Sequence, residues 1–148
     1  MQRLLLAWGC AWLLFGCGGD DLDEAGAREL WQRLQEADYR GWERAPGWEA
    51  RQPTVSAHGH TADIFINPVL TTALGESGLE AWPVGSLLVK DSYRGDALHL
   101  IAAMEKRSGG WYYAEWDAGG GAKYAGEPGV CLDCHGSAPD RVFAIALP

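Results

Sequence analysis

The sequence predicts an α+β fold, mainly an antiparallel β-sheet with flanking helices. Three observations carry that expectation. Short apolar or alternating segments follow one another late in the chain, at residues 86–91, 98–106 and 111–116. The turns between them are rich in glycine, and 20 Gly and 7 Pro in 148 residues require many such turns. One clear helical period lies ahead of these strands, and no internal repeat is present. Consecutive strands with few helices are stable when the helices pack on a sheet.

The elements can be justified in order. Met1-Gln2-Arg3 is a short basic start, and residues 4–16 are an apolar run. That run is too short to span a bilayer and suits the core of a signal peptide. It ends in Leu14-Phe15-Gly16-Cys17. A small residue before Cys and a Leu three positions earlier look like a bacterial lipoprotein processing site. Residues 1–16 are therefore expected to be a lipoprotein signal peptide, with Cys17 lipidated and residues 17–21 a tether. The protein is then exported and periplasmic, held to a bacterial membrane by acyl chains alone. An ordinary signal peptide with incidental cysteines is the alternative. A domain over residues 22–148 follows.

Leu22, Leu30, Trp31, Leu34 and Ala37 recur at helical spacing, so a helix is expected from 22 to about 39, with Asp20 or Asp21 as cap. Residues 41–56, with Pro46, Gly47 and Pro53, read as irregular. Residues 58–66 end in Ile64-Phe65-Ile66 and read as a strand. Asn67-Pro68 opens a short helix, 68–74: Asn caps well and Pro suits the first helical position. The three strands named above come next. Residues 119–129 read as a glycine-rich loop, and 142–147 as a closing segment.

Of four cysteines, Cys10 falls in the leader and Cys17 at its end, which leaves Cys131 and Cys134. No disulfide framework remains to be explained. Cys131-Leu132-Asp133-Cys134-His135 is the pattern of covalent haem c attachment. The two thiols add across the two vinyl groups of one haem edge, and the adjacent His135 becomes the proximal ligand of the iron. A zinc site would need a second pair of ligands, and His58-Gly59-His60 is a cramped one. A redox dithiol would sit at a strand–helix junction near a chain start, whereas this motif lies near the end.

The sixth position on the iron decides between electron carriage and small-molecule chemistry. His58, His60, His99, Met104 and Lys90 are the candidates for it; the only other Met is Met1. None has a spacing that marks a ligand, so an open site is expected. Trp111-Tyr112-Tyr113 could supply apolar walls. Removal of the leader takes away Arg3 and no acid, so the formal charge goes from −8 to −9. Such a chain suits neither nucleic acid nor anionic lipid. A small ligand or a basic redox partner protein fits better.

Four stretches together resemble the cytochrome P460 family. They are Ser56-Ala57-His58-Gly59 with a strand ending at Asn67; Trp82-Pro83-Val84-Gly85-Ser86-Leu87-Leu88-Val89-Lys90; Met104-Glu105-Lys106 followed by Gly110-Trp111-Tyr112-Tyr113; and the haem motif followed by Asp140-Arg141-Val142-Phe143. The resemblance implies a mostly antiparallel β fold, a homodimer, and a haem that is five-coordinate or holds water weakly. It also implies a link from a lysine, here Lys90, to the porphyrin edge. An amine on an apolar face beside a cofactor is driven toward its neutral, nucleophilic form. Family members oxidise hydroxylamine or bind nitric oxide. A sister branch, the β-sheet cytochromes c′, has the fold without the lysine link and binds gases.

One departure stands out. Hydroxylamine-oxidising members carry an acidic residue over the iron, on the strand before the Met/Lys stretch, and that position here is Leu100 or Ile101. Catalytic base help would then come from His58, His60, His99 or Glu105. Three functions follow: an oxidoreductase acting on a small nitrogen compound (hydroxylamine or nitric oxide), a non-enzymatic gas-binding haem protein, or a simple periplasmic electron carrier.

Overall fold

Among the described residues seven strands form one open sheet in which every neighbouring pair is antiparallel, the path running from residues 43–44 through 59–66, 87–94, 97–107 and 110–117 to 122–126. The computed structural model describes residues 22–148. The expected leader, tether and Cys17 lie outside those residues. The strands are β1 (Glu43–Arg44), β2 (Gln52–Ser56), β3 (Gly59–Ile66), β4 (Leu87–Arg94), β5 (Ala97–Arg107), β6 (Gly110–Asp117) and β7 (Ala122–Gly126). Three helices accompany them: α1 (Glu24–Glu36), α2 (Pro68–Ala73) and α3 (Gly129–His135). Among the described residues no helix is long and apolar enough to cross a membrane.

The expected α+β architecture holds, with corrections at the elements of weakest pattern. The first helix starts later than expected and is capped by Asp23, whose carboxylate accepts from Gly26 N at 2.9 Å. It also ends earlier, and Tyr39–Gly41 forms a separate 3-10 turn. The stretch expected to be irregular contains β1 and β2, which pair in succession along the same edge of β3. The glycine-rich loop contains β7, paired to β6 from Tyr113 to Trp116. In both cases the partner strand supplies the order that local pattern lacks. Gly59 opens β3 because a Cβ there would lie 2.9 Å from that of Ser92.

Alternation along the strands gives two apolar faces. On one, Phe65, Leu87, Val89, Ile101, Ala103, Tyr112, Ala114 and Trp116 pack beneath α1 through Ala27, Leu30 and Leu34. Buried acids on this side have built-in partners. Asp91 accepts from Tyr39 Oη at 2.7 Å and pairs with Arg40 at 2.6 Å, while Asp63 is held by Arg44 and Arg51. On the other face, Ile64, Ile66, Leu88, Trp111 and Tyr113 meet α2, Trp82 and the closing segment through Val142 and Ile145. That closing segment forms no strand.

Asn67 ties α2 to the sheet. Its side-chain oxygen accepts from Leu70 N and Leu87 N, each at 3.1 Å, and its amide donates to the Gly85 carbonyl at 2.8 Å. Asn67→Ala should lower stability by about 0.5–2 kcal/mol, the range measured for lost caps. Denaturant unfolding should show a lower midpoint at an unchanged slope.

Candidate functional site

A cavity of about 390 Å³ lies against the second face, and three different regions of the chain build it. The sheet contributes a cross-strand row. Ile64 pairs with Lys90, Lys90 with Ala102, Ala102 with Glu115, and Glu115 with Tyr124. Ala102 is the small residue at the centre, so Lys90 and Glu115 stand about 10 Å apart across it, two strand spacings. Met104 and Tyr113 line the cavity from the next row on that face. The turn after β2 contributes Ala57 and His58, and the C-terminal region brings Cys131, Cys134, His135 and Phe143.

The three motif residues are carried by α3, a helix with no buried residue and no side-chain cap at Pro128. Both Cys131 and Cys134 line the cavity. His135 ends the helix, its ring flanked by Tyr113 and Phe143 with centroids 5.4 and 5.5 Å away. His135 Nδ1 lies 2.8 Å from the Arg141 carbonyl. A carbonyl only accepts, so Nδ1 carries the proton and Nε2 keeps its lone pair. Burial holds the His135 pKa below its ordinary value, against the opposing pull of that carbonyl. The imidazole is thus a neutral donor in a fixed tautomer.

Lys90 is half-buried and reaches the cavity, where its ammonium donates to Ser56 Oγ at 2.7 Å and Thr54 Oγ1 at 3.3 Å. Neither partner is an anion, so nothing offsets desolvation, and burial lowers its pKa to about 8. A substantial neutral fraction then exists near neutral pH, as a nucleophilic amine requires.

The other sequence candidates separate. His58 lines the cavity, with Nδ1 2.8 Å from Glu115 Oε2. The carboxylate oxygen accepts, so His58 Nδ1–H donates. His60 is exposed, and neither it nor His99 lines the cavity. Glu105 was expected as a possible base, but it points to the opposite face. There Arg33 holds it through bonds of 2.8 and 3.0 Å, with Arg107 at 2.8 Å. Its parity in β5 is that of buried Ile101 and Ala103, which explains the misplacement. Both arginines hold its pKa below the usual value, against desolvation. Leu100 and Ile101 do not line the cavity either.

Glu115 is the residue that the sequence reading missed. It brings a carboxylate to the cavity from β6, one strand later than expected. A signal was present: Glu115 has the same parity as Tyr113, which was expected to form a wall. Of the aromatic trio, only Tyr113 lines the cavity. Trp111 is buried on the same face, and Tyr112 faces α1.

The rim is unusually apolar for exposed positions, with Val55, Tyr124 and Phe143 all open to solvent. Among the described residues no three His, Cys, Asp or Glu side chains gather around a common point as metal ligands would. Compared with known proteins, the chain matches no family model, and a search of curated proteins finds no match.

Proposed function

We propose that this chain is an exported mono-haem c-type cytochrome of P460 type that binds or oxidises a small nitrogen compound, hydroxylamine or nitric oxide. The observation that carries the reading is His135. Its Nδ1 proton is committed to the Arg141 carbonyl, at the edge of an apolar cavity also lined by Cys131 and Cys134. That is the arrangement an axial histidine needs, with the outer nitrogen oriented and the inner one free to bind. The open apolar rim supports the same reading, since a flat hydrophobic cofactor would cover Val55, Tyr124 and Phe143. Cys131 and Cys134 stand about one helical turn apart on α3, the spacing that two thioether bonds to one haem edge require.

The cysteine thiols would hold the group by adding S–H across its two vinyl double bonds, with no net redox change. Lys90 would hold it by a further C–N bond at the porphyrin edge. Replacing C–H by C–N there releases two electrons and two protons, so it needs a two-electron oxidant such as a peroxide. Bound in this cavity, the group supplies a redox-active iron with a coordination position for a small ligand. The chain's own part is to exclude bulk water, through Tyr113, Met104 and Phe143, and to move protons. Removing two electrons from hydroxylamine to reach the nitroxyl level releases two protons. His58 and Glu115 are placed to accept protons, and the electrons pass to a redox partner protein. The lipid anchor at Cys17 and a homodimer complete the proposal.

Gas binding without turnover is the second reading, because the cavity needs no catalytic group for it. Both differ from an electron carrier in leaving the sixth position free. The test is the absorption spectrum of the ferrous protein before and after carbon monoxide, for wild type and Lys90→Ala. Rapid CO binding is expected, with a red-shifted ferrous band that Lys90→Ala abolishes. An ordinary band unaltered by the substitution would leave the gas binder. A low-spin spectrum indifferent to CO would leave only the carrier, with Met104, His58 and Lys90 as the cavity residues able to ligate.

A further inference from the structure

We infer that Asp140 is a positioning residue that sets the axial histidine through the backbone carbonyl of its neighbour. The inference rests on the reading of His135 as an iron ligand, and its starting point is backbone strain. Asp140 and Arg141 both adopt left-handed conformations, with φ of 38° and 63°. Aspartate tolerates that region better than most residues, but arginine has no such excuse. Such strained residues persist only where their surroundings over-determine them.

The surroundings here are three donors from three separate places, all converging on one carboxylate. Trp82 N donates to Asp140 Oδ2 at 2.7 Å. Lys106 Nζ at 2.6 Å and Trp111 Nε1 at 3.1 Å donate to Oδ1. Lys106 lies on β5 and Trp111 on β6, so the carboxylate fastens the return of the chain after α3 to the sheet. Lys106 and Asp140 are both largely buried, so this ion pair is screened little by solvent.

What the strained turn delivers is the Arg141 carbonyl, aimed at His135 Nδ1. The Arg141 guanidinium also donates to the Leu132 carbonyl at 3.2 Å, which ties the same residue to α3. A continuous path therefore runs from the sheet through Asp140 and the Arg141 carbonyl to His135. Asp140 does not itself line the cavity, and that path is its bonded connection to His135. Holding the carbonyl on Nδ1–H fixes the ring orientation and raises the donor strength of Nε2. Loss of the clamp lets the turn relax and weakens both effects.

The experiment uses the full-length holoprotein in its ferrous state and reads the iron–histidine stretch by resonance Raman, together with the reduction potential. Asp140→Ala should move the stretch to lower frequency and the potential to more positive values. Asp140→Asn keeps an acceptor for Lys106 and Trp111, and it should move both by less. Loss of the charge alone would displace the two variants equally, and that result would overturn the proposal. Asp91→Asn, in the buried cluster under α1, is the control. It should lower the thermal midpoint and leave the stretch in place. An Asp140→Ala protein that behaves as this control does, destabilised with an unmoved band, would also overturn the proposal. Should Asp140→Ala fail to fold, Trp111→Phe removes one donor only. It should displace the band in the same direction, and an unmoved band there counts against the clamp. Wild-type protein without covalent haem would reject the reading beneath the proposal and the proposal with it, a result distinct from haem present with an indifferent band.

Discussion

Replacing Cys131 and Cys134 together by alanine is expected to leave the exported protein with no thioether-bound haem. The effect is all-or-none because two thioether bonds are the whole covalent attachment apart from any link at Lys90. Acid–acetone extraction should remove all haem from a triple variant that also carries Lys90→Ala, and none from wild type. Each single cysteine variant should retain haem through its remaining bond, in lower yield. His135→Ala should keep the haem covalently bound and change its spectrum, which separates attachment from ligation. The fold adds a second consequence. Helix α3 has no fully buried residue and no side-chain cap; it is held by partial packing of Cys131 and Leu132, by the ring contacts of His135 and by the Arg141 bond to the Leu132 carbonyl. Short helices are marginal without tertiary packing, and a group that binds only the folded state stabilises it. The double variant should therefore lose protection of amide hydrogens in α3 first, while β4 and β5, at the centre of the sheet, keep theirs. Wild-type protein that releases its haem into acid acetone, or that is purified with stoichiometric zinc, would reject the haem c assignment.

How much of this was legible in the sequence depends on whether the signal was local. The motif at 131–135 is contiguous, and its chemistry requires no knowledge of the fold. Strands β4, β5 and β6 have strong apolar or aromatic runs and were legible to within a few residues. Helix α2 was legible because Asn67 and Pro68 are cap chemistry, a matter of neighbouring atoms. Strands β1, β2 and β7 were not legible. Glu43–Arg44 and the segment around Lys123 have little strand propensity, and they are ordered by β3 and β6 as neighbours. The site followed the same rule. Lys90 and Glu115 flank one cavity because the register of β4 on β5 and β5 on β6 puts Ala102 between them. Register is a long-range property, and a shift of one residue exchanges the two faces of a strand. Glu105 shows the cost: its type suited a base, and its parity sent it beneath α1 to Arg33.

Glu115→Gln is expected to lower hydroxylamine turnover by roughly 10²–10⁴-fold, the range for loss of a positioned proton acceptor. Glutamine preserves the shape of the side chain and can still meet His58 Nδ1 through its carbonyl oxygen, so the cavity should keep its form. What disappears is the carboxylate that, on the proposed reaction, would take protons as electrons leave the substrate. It also removes the negative charge that stabilises His58 when that ring is protonated. His58→Ala should therefore reduce turnover as well. The double variant should be little worse than Glu115→Gln alone, since residues acting as one unit are not additive. Glu105→Gln, on the far face, should leave turnover within about twofold and cost only stability. Binding gives the complementary measurement. Carbon monoxide carries no proton to transfer, so its affinity should change far less than turnover in Glu115→Gln. Equal losses in both would mean that the substitution had damaged the cavity rather than removed a base. Wild-type protein that binds nitric oxide tightly and turns over no hydroxylamine with any electron acceptor would reject the oxidoreductase. The His58–Glu115 pair would then be left as the polar contact for a bound gas, and Glu115→Gln should speed release of nitric oxide by reducing the bond that orients His58 from a charge-assisted to a weaker neutral one.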